Sequence, residues 1–358
     1  METTPSTSDW HWQLSHAITT PEGLAGLPGY RPPTKGVLAC ARRYPMLVTP
    51  FYLSLAKSAS PDDPVIRQCL PRPEECDDGA ERDPLGEHEA SPVHRLVHRY
   101  YDRALFLTCG SCAVHCRHCM RKRVWEIPLA PPTDDELAEC TAYLRKHPEV
   151  REVLISGGDP LTLEDDEIER VLGAFASVPS IEMLRIGSRT LVALPQRYTE
   201  RLCSLLGKCG KTVWLASHFN HPQELSRGAE EAVLRLMQHG IAVVNQTVLL
   251  KGVNDDAETL ARLFTGLLRI RIKPYYLFHG DPVQGTICFR TGIDAGVEIM
   301  SQLRKRISGM ALPAFAIDLP KGGGKVRLEP DSFAGWGTDG CRMYFNLDGL
   351  SIPYPDPK

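Results

Sequence analysis

From Ala104 onward, apolar runs of strand length alternate with longer segments of helical periodicity, and this alternation limits the possible folds more than any other feature. The strand-like runs are 104–108, 152–156, 181–186, 212–218, 242–250, 273–278 and 314–318. Helix-like segments lie between them at 134–146, 164–177, 200–208, 224–239, 256–270 and 295–307. Thr133-Asp-Asp-Glu136 forms a capping box at the start of the first helix. Strands alternating with helices of this length build parallel βαβ units. With no dinucleotide-binding fingerprint near the start, an incomplete parallel (β/α) barrel is expected rather than a doubly wound sheet. Residues 1–98 lack strand alternation and read as a mainly helical arm, 99–319 as the partial barrel, and 320–358 as a short C-terminal extension.

A barrel of this kind carries its functional residues at the C-terminal ends of its strands. The chemically distinctive residues fall there. Cysteines follow the first strand, Gly157-Gly158-Asp159-Pro160 the second, and Arg185 to Arg189 the third. His218 ends the fourth, Gln246 lies in the fifth, Asp281 follows the sixth and Asp318 ends the last.

The first strand leads into Cys112-Ala-Val-His-Cys116-Arg-His-Cys119, three thiols spaced C-x3-C-x2-C. Thiolates are the usual ligands of cluster iron, and a [4Fe–4S] cubane has four irons. Three cysteines leave one iron open for a small molecule, as an open position marks a catalytic metal. The spacing resembles that of the radical S-adenosylmethionine (SAM) enzymes, whose open iron holds SAM. Cys109 stands three residues earlier, so the stretch also reads as a closed four-thiol site. A non-catalytic Fe–S protein therefore stays an alternative. Alternation puts Cys109 on the face of Leu105 and Leu107, which suits a buried, inert thiol.

Gly157 and Gly158 allow a close backbone approach and can offer hydrogen bonds to the amino group of SAM. Lys321-Gly-Gly-Gly-Lys325 follows the last strand. Its glycines make a mobile backbone that could carry Lys325 into the barrel mouth, where a lysine can form a Schiff base with pyridoxal 5′-phosphate (PLP). Equally, Lys325 reads as a solvated loop lysine. Arg99 and Arg103 suit a phosphate, and the Arg121-Lys-Arg123 group suits a carboxylate. Asp281 and Asp318 could clamp an ammonium or a guanidinium; Asp281-Pro282 is also a common turn dipeptide.

A net charge of −3 gives no electrostatic footprint for nucleic acid. No stretch reaches the ~20 apolar residues of a membrane span. The N-terminus lacks a secretory signal pattern, and the twelve cysteines then favour reduced thiols and a metal site, so a cytoplasmic protein is expected.

Taken together, these blocks resemble the lysine 2,3-aminomutase family of radical SAM, PLP-dependent enzymes. The likeness rests on Asp83-Pro-Leu-Gly-Glu87, His98-Arg-Tyr-Tyr-Asp-Arg103, Cys112 to Arg123, Ser156-Gly-Gly-Asp159, Arg185 to Thr190, His218 to Pro222, Lys273-Pro-Tyr-Tyr276 and Gly322 to Lys325. The resemblance implies that Cys112, Cys116 and Cys119 ligate the cluster. It implies that Lys325 holds PLP with Arg99 and Arg103 near its phosphate, and that Gly157, Gly158, Asp159, His218 and Gln246 line the SAM pocket. Arg121 would pair with the substrate carboxylate, and Asp281 and Asp318 with the side-chain ammonium of lysine. An amino acid substrate and an electron donor such as flavodoxin or ferredoxin follow. Arginine 2,3-aminomutase is the nearest alternative, because paired acids also suit a guanidinium. A relative acting in elongation factor P modification is less expected, since that branch lacks the paired acids.

Longer members of the family carry a zinc site between protomers. Here Asp256 stands where they place one cysteine, and only Cys341 lies near the end of this sequence. The zinc site is therefore expected to be absent, while a homo-oligomer stays open.

Overall fold

The computed structural model describes residues 8–76, 79–125, 129–329, 331–338 and 341–354. The two ends invoked above, residues 1–7 and 355–358, lie outside them.

The arm is built of short helices, α1 (Trp10–Ser15), α2 (Lys35–Arg43), α3 (Pro50–Ser54) and α4 (Pro64–Cys69). Proline opens α3 and α4, where a missing N–H costs nothing, and Thr49 and Asp63 cap them. The sheet follows as β1 (Leu96–Tyr100), β2 (Arg103–Leu107), β3 (Glu152–Ser156), β4 (Met183–Gly187), β5 (Thr212–Ser217), β6 (Ala242–Leu249), β7 (Lys273–His279), β8 (Ala314–Leu319) and β9 (Gly324–Arg327). Between the strands run α5 (Asp134–Lys146), α6 (Asp165–Ala176), α7 (Thr190–Ala193), α8 (Glu200–Lys208), α9 (Arg227–Gln238), α10 (Ala257–Arg269) and α11 (Ile293–Arg306). The capping box at Thr133 and Glu136 is present on α5. Asp256 caps α10 by accepting from Thr259 N at 2.8 Å.

The nine strands lie in sequence order, parallel from β2 to β8 and antiparallel at both edges. Alternate residues of β2 to β4 separate two environments. Phe106, Val153, Ile155, Leu184 and Ile186 are buried in the layer shared with the helices. Leu105, Leu154 and Arg185 instead line an interior cavity. The apolar core is thus the shell between strands and helices, and the inner face is left for chemistry.

β1 and β9 are the two edges of an unclosed sheet. Residues 81–88 run along the seam between them. Lys321 N donates to the Pro84 carbonyl at 2.9 Å, and Arg99 on β1 donates to the Leu85 carbonyl. The partial barrel is as expected, but its edges were not. The boundary placed at residue 98 falls inside β1, and the one at 319 separates β8 from its hairpin partner β9. The Lys321–Lys325 stretch forms a tight turn followed by a strand, with Lys325 paired opposite Asp318. A small antiparallel sheet of β10 (Phe333–Trp336), β11 (Arg342–Phe345) and β12 (Ser351–Tyr354) follows. Among the described residues no helix is long and apolar enough to cross a membrane.

Candidate active site

The cysteine loop after β2 is held by the arm. Thr49 N donates to the Ala113 carbonyl at 3.2 Å and His115 N to the Leu47 carbonyl at 2.8 Å. Arg117, between two of the cysteines, is wholly buried and pairs with Glu75 at 2.7 Å; Lys122 reaches the same carboxylate at 2.6 Å. Cys112, Cys116 and Cys119 line the cavity, whose volume is about 890 Å³. Cys109 is buried off it, with its Sγ directed at the Asp159 carbonyl at 3.5 Å. Its burial does not come from the strand face, because Leu105 lines the cavity. The backbone leaves β2 after Leu107, so alternation no longer governs residue 109.

Three thiols on the cavity and one turned away fit a cluster with one open iron. Among the described residues no group of three or more His, Cys, Asp or Glu side chains is set for a single metal ion. Burial, then Asp159 and the neighbouring thiols, push Cys112 well above its usual range, and burial and Cys116 raise Cys119 to about 11. Iron binding here must therefore release protons. One contact was missed by sequence reasoning. Arg189 Nη1 donates to Cys116 Sγ at 2.7 Å, while Nη2 is held by Tyr52 Oη, Gln68 Oε1 and Glu224 Oε1 at 3.1, 2.6 and 2.8 Å. Its position beyond a strand end, inside the Arg185–Arg189 block, was the available signal.

The Gly-Gly turn has a packing reason of its own. A Cβ on Gly157 would sit 2.9 Å from the Cys109 carbonyl oxygen, and one on Gly158 only 2.3 Å from that of Ser111. Gly157 also has φ +126, a backbone that side chains rarely adopt. The amides of Gly158 and Asp159 already donate to Cys109 and Ser111 carbonyls. Asp159 is buried, accepting from Ser188 Oγ at 2.8 Å, Arg189 N at 2.7 Å and Leu161 N at 3.1 Å. All three line the cavity, but what they do first is hold the cysteine loop against β3.

His218 and Gln246 also line the cavity. His218 Nε2 is buried without a protein partner, and so is Nδ1 of His118, whose ring stacks on His218 at 5.7 Å. Burial and then Arg189 lower His218 to about 3, so its ring is neutral at ordinary pH. Buried orphan nitrogens beside the cysteine loop fit a polar ligand such as SAM.

Lys325 Nζ pairs with Asp318 Oδ2 at 2.6 Å and lies 4.0 Å above the Phe278 ring. Tyr100 Oη reaches the other Asp318 oxygen at 3.4 Å. Arg103 stacks on the Tyr100 ring at 3.9 Å and pairs with Asp102 at 2.9 Å. Arg99 Nε is buried without a partner. An orphan guanidinium nitrogen, a second arginine and a lysine amine in one cavity fit PLP, with a phosphate at one end and a carbonyl at the other.

Asp281 and Asp318 meet at this wall. Burial and the Asp318 charge, offset in part by Lys325, raise Asp281 from 3.8 to about 7. In the same cavity, Arg121 Nε and Nη2 are taken by Glu87, the closest contact being 2.6 Å, while Nη1 has only a 3.5 Å contact to Ser156 Oγ. Burial works against the Glu87 charge, but Arg121 and Arg123 hold its carboxyl at about 2. Glu87 belongs to a block visible in the sequence, yet no role had been read from it.

Comparison with known proteins adds to this geometry. Residues 107–264 match the Radical SAM superfamily, and residues 300–358 match a model described as Lysine-2,3-aminomutase. The chain is 38% identical over 358 residues to L-lysine 2,3-aminomutase of Clostridium subterminale, covering 98% of this chain and 84% of that one. It is 38% identical over 355 residues to the Bacillus subtilis protein of the same name, covering 98% and 75%. Glutamate 2,3-aminomutase of Clostridioides difficile is 38% identical over 336 residues, covering 92% and 79%.

Proposed function

Because this chain belongs to the lysine 2,3-aminomutase family, we propose that it moves the α-amino group of L-lysine to the β-carbon, giving β-lysine. The observation that carries the substrate is the cavity's charge arrangement: Arg121, the acids Asp281 and Asp318, and Lys325 all line one cavity. An amino acid with a carboxylate at one end and a cation at the other matches it.

The cofactors are a [4Fe–4S] cluster, SAM and PLP. When bound, the cluster and SAM supply a carbon radical able to remove a hydrogen atom, and PLP supplies a carbonyl that holds the migrating amino group. Cys112, Cys116 and Cys119 would hold the cluster, and His218 and Gln246 with the Gly157–Asp159 turn would line the SAM pocket. Lys325 would carry PLP, with Arg99 and Arg103 on its phosphate and the Phe278 ring against its amine. Arg121 would offer Nη1 to the substrate carboxylate. Asp318 is occupied by the Lys325 ammonium in the structure. With Lys325 committed to the cofactor, both acids are left for the substrate's distal ammonium.

Arginine is the second reading, since two carboxylates also accept a guanidinium. A glutamate side chain would place its carboxylate against two acids and is disfavoured. The enzyme is divided into arm, partial barrel and C-terminal segment, and works in the cytoplasm with a reducing donor such as flavodoxin or ferredoxin. The test is incubation of anaerobically reconstituted protein with lysine, arginine or glutamate separately. β-Lysine formation is expected; turnover of arginine but not lysine would overturn the substrate assignment and leave the reaction class.

A further inference from the structure

Residues 83–87 lie outside every strand and helix, yet they hydrogen-bond Arg99, Arg121 and the turn before Lys325. The Pro84 carbonyl accepts from Lys321 N at the turn before Lys325, and the Leu85 carbonyl accepts from Arg99. Just upstream, Glu81 bridges to Val283, and its carbonyl accepts from Gln284 N at 2.9 Å, three positions past Asp281. Glu87 closes the series on Arg121. Its carboxylate is buried and engages the whole Nε–Nη2 edge of the guanidinium, at 3.0 and 2.6 Å, and a second arginine, Arg123, at 2.6 Å.

An arginine presents its donors in a rigid planar fork. Fixing one edge fixes where the remaining nitrogen points. With Glu87 on Nε and Nη2, Nη1 is directed past Ser156 Oγ, another cavity-lining residue. A buried carboxylate that only neutralised charge would not need to hold this edge. We infer that Glu87 is a positioning residue for substrate recognition: it orients Arg121 so that Nη1 meets the α-carboxylate of the amino acid. The inference rests on the reading of Arg121 as the carboxylate ligand. The surrounding strap, from Glu81 to Glu87, keeps that arginine in register with Arg99, Lys325 and Asp281 across the seam of the barrel.

The experiment compares two ligands on PLP-loaded protein, followed by the cofactor's absorbance change on binding, without turnover. One is L-lysine. The other is pentane-1,5-diamine, which keeps both amines and lacks the carboxylate. Glu87→Gln should weaken lysine roughly ten- to a hundredfold, the scale of a lost charge-assisted hydrogen bond, and leave the diamine within about twofold. Arg121→Met should show the same selectivity, and the double variant should lose little more than either alone. Glu87→Asp, which keeps the charge but shortens the reach, should fall between wild type and Gln, and serves if the Gln variant does not fold. Equal weakening of both ligands by Glu87→Gln, or by Glu87→Asp in its place, would mean a merely structural role and overturn the inference. If Arg121→Met weakens lysine selectively and the Glu87 variants do not, the inference fails and the Arg121 reading survives. If Arg121→Met leaves lysine binding intact, both fail.

Discussion

Asp281→Asn should stabilise the cofactor-free protein above neutral pH while disabling it as an enzyme. The wild-type carboxyl titrates near 7 instead of 3.8, because it is buried and faces Asp318. The sign follows from linkage. The folded state holds this proton more tightly than the unfolded state, so stability is fully present below 3.8 and is lost as pH rises toward about 7. At ~1.4 kcal/mol per pKa unit, the difference between 3.8 and about 7 corresponds to roughly 4 kcal/mol of burial cost above pH 7. Asparagine has no charge to bury. Anaerobic urea unfolding at pH 6 and pH 8 should show wild type losing stability between the two, and Asp281→Asn losing less. At pH 8 the variant should be the more stable protein, by up to about 4 kcal/mol. In the loaded enzyme the same change should cut kcat/KM for lysine by two to three orders of magnitude, from the roughly 3–5 kcal/mol lost when one member of a desolvated charge pair is removed. A variant that is less stable at pH 8 and fully active would refute the reasoning, and Asp281 would be an ordinary turn residue.

Cys109→Ala should keep about four irons per chain, whereas alanine at Cys112, Cys116 or Cys119 should lose the cluster; iron and sulfide assays with electron paramagnetic resonance separate the outcomes. Gly158→Ala places a Cβ against the Ser111 and Gly110 backbone, so it should impair cluster assembly and lower the thermal midpoint. Gly173→Ala on α6 meets nothing within 4 Å and should be neutral or stabilising by a few tenths of a kcal/mol up to about 1. Borohydride reduction of the PLP-loaded protein should trap a pyridoxyl group on Lys325; mass spectrometry finding it on Lys321 would put the wrong lysine at the cofactor.

The repeating part of the barrel could be read from the sequence because each unit carries its own signals. Period-two apolar runs gave β2 to β8, and the Thr133–Glu136 box marked the start of α5. The edges could not be read this way. β1 and β9 are antiparallel strands with no helix of their own, and β9 hides in a glycine-rich stretch whose hairpin is set by pairing with β8. Within the site, the residues that the sequence marked by their chemistry, the thiols, Lys325 and the acids at strand ends, share one cavity. Their partners were not legible. Arg189 on Cys116 and Glu87 on Arg121 connect positions 73 and 34 residues apart, a distance no local pattern spans. The Gly157–Gly158 turn was singled out for a close backbone approach, and the structure shows one that the sequence did not reveal, to the backbone of the cysteine loop.

The central claim is that the chain moves the α-amino group of lysine to its β-carbon; because an isomerisation has no net loss of hydrogen, the hydrogen atom removed from the substrate has to be returned, which spares SAM. The direct measurement uses lysine labelled with ¹⁵N at the α-position, incubated anaerobically with the reconstituted protein, PLP, a reductant and less SAM than substrate. The account predicts β-lysine carrying ¹⁵N on its β-carbon, formed in many-fold excess over SAM, with SAM still intact at the end. Unchanged lysine, or methionine and 5′-deoxyadenosine released in step with any product, would contradict it.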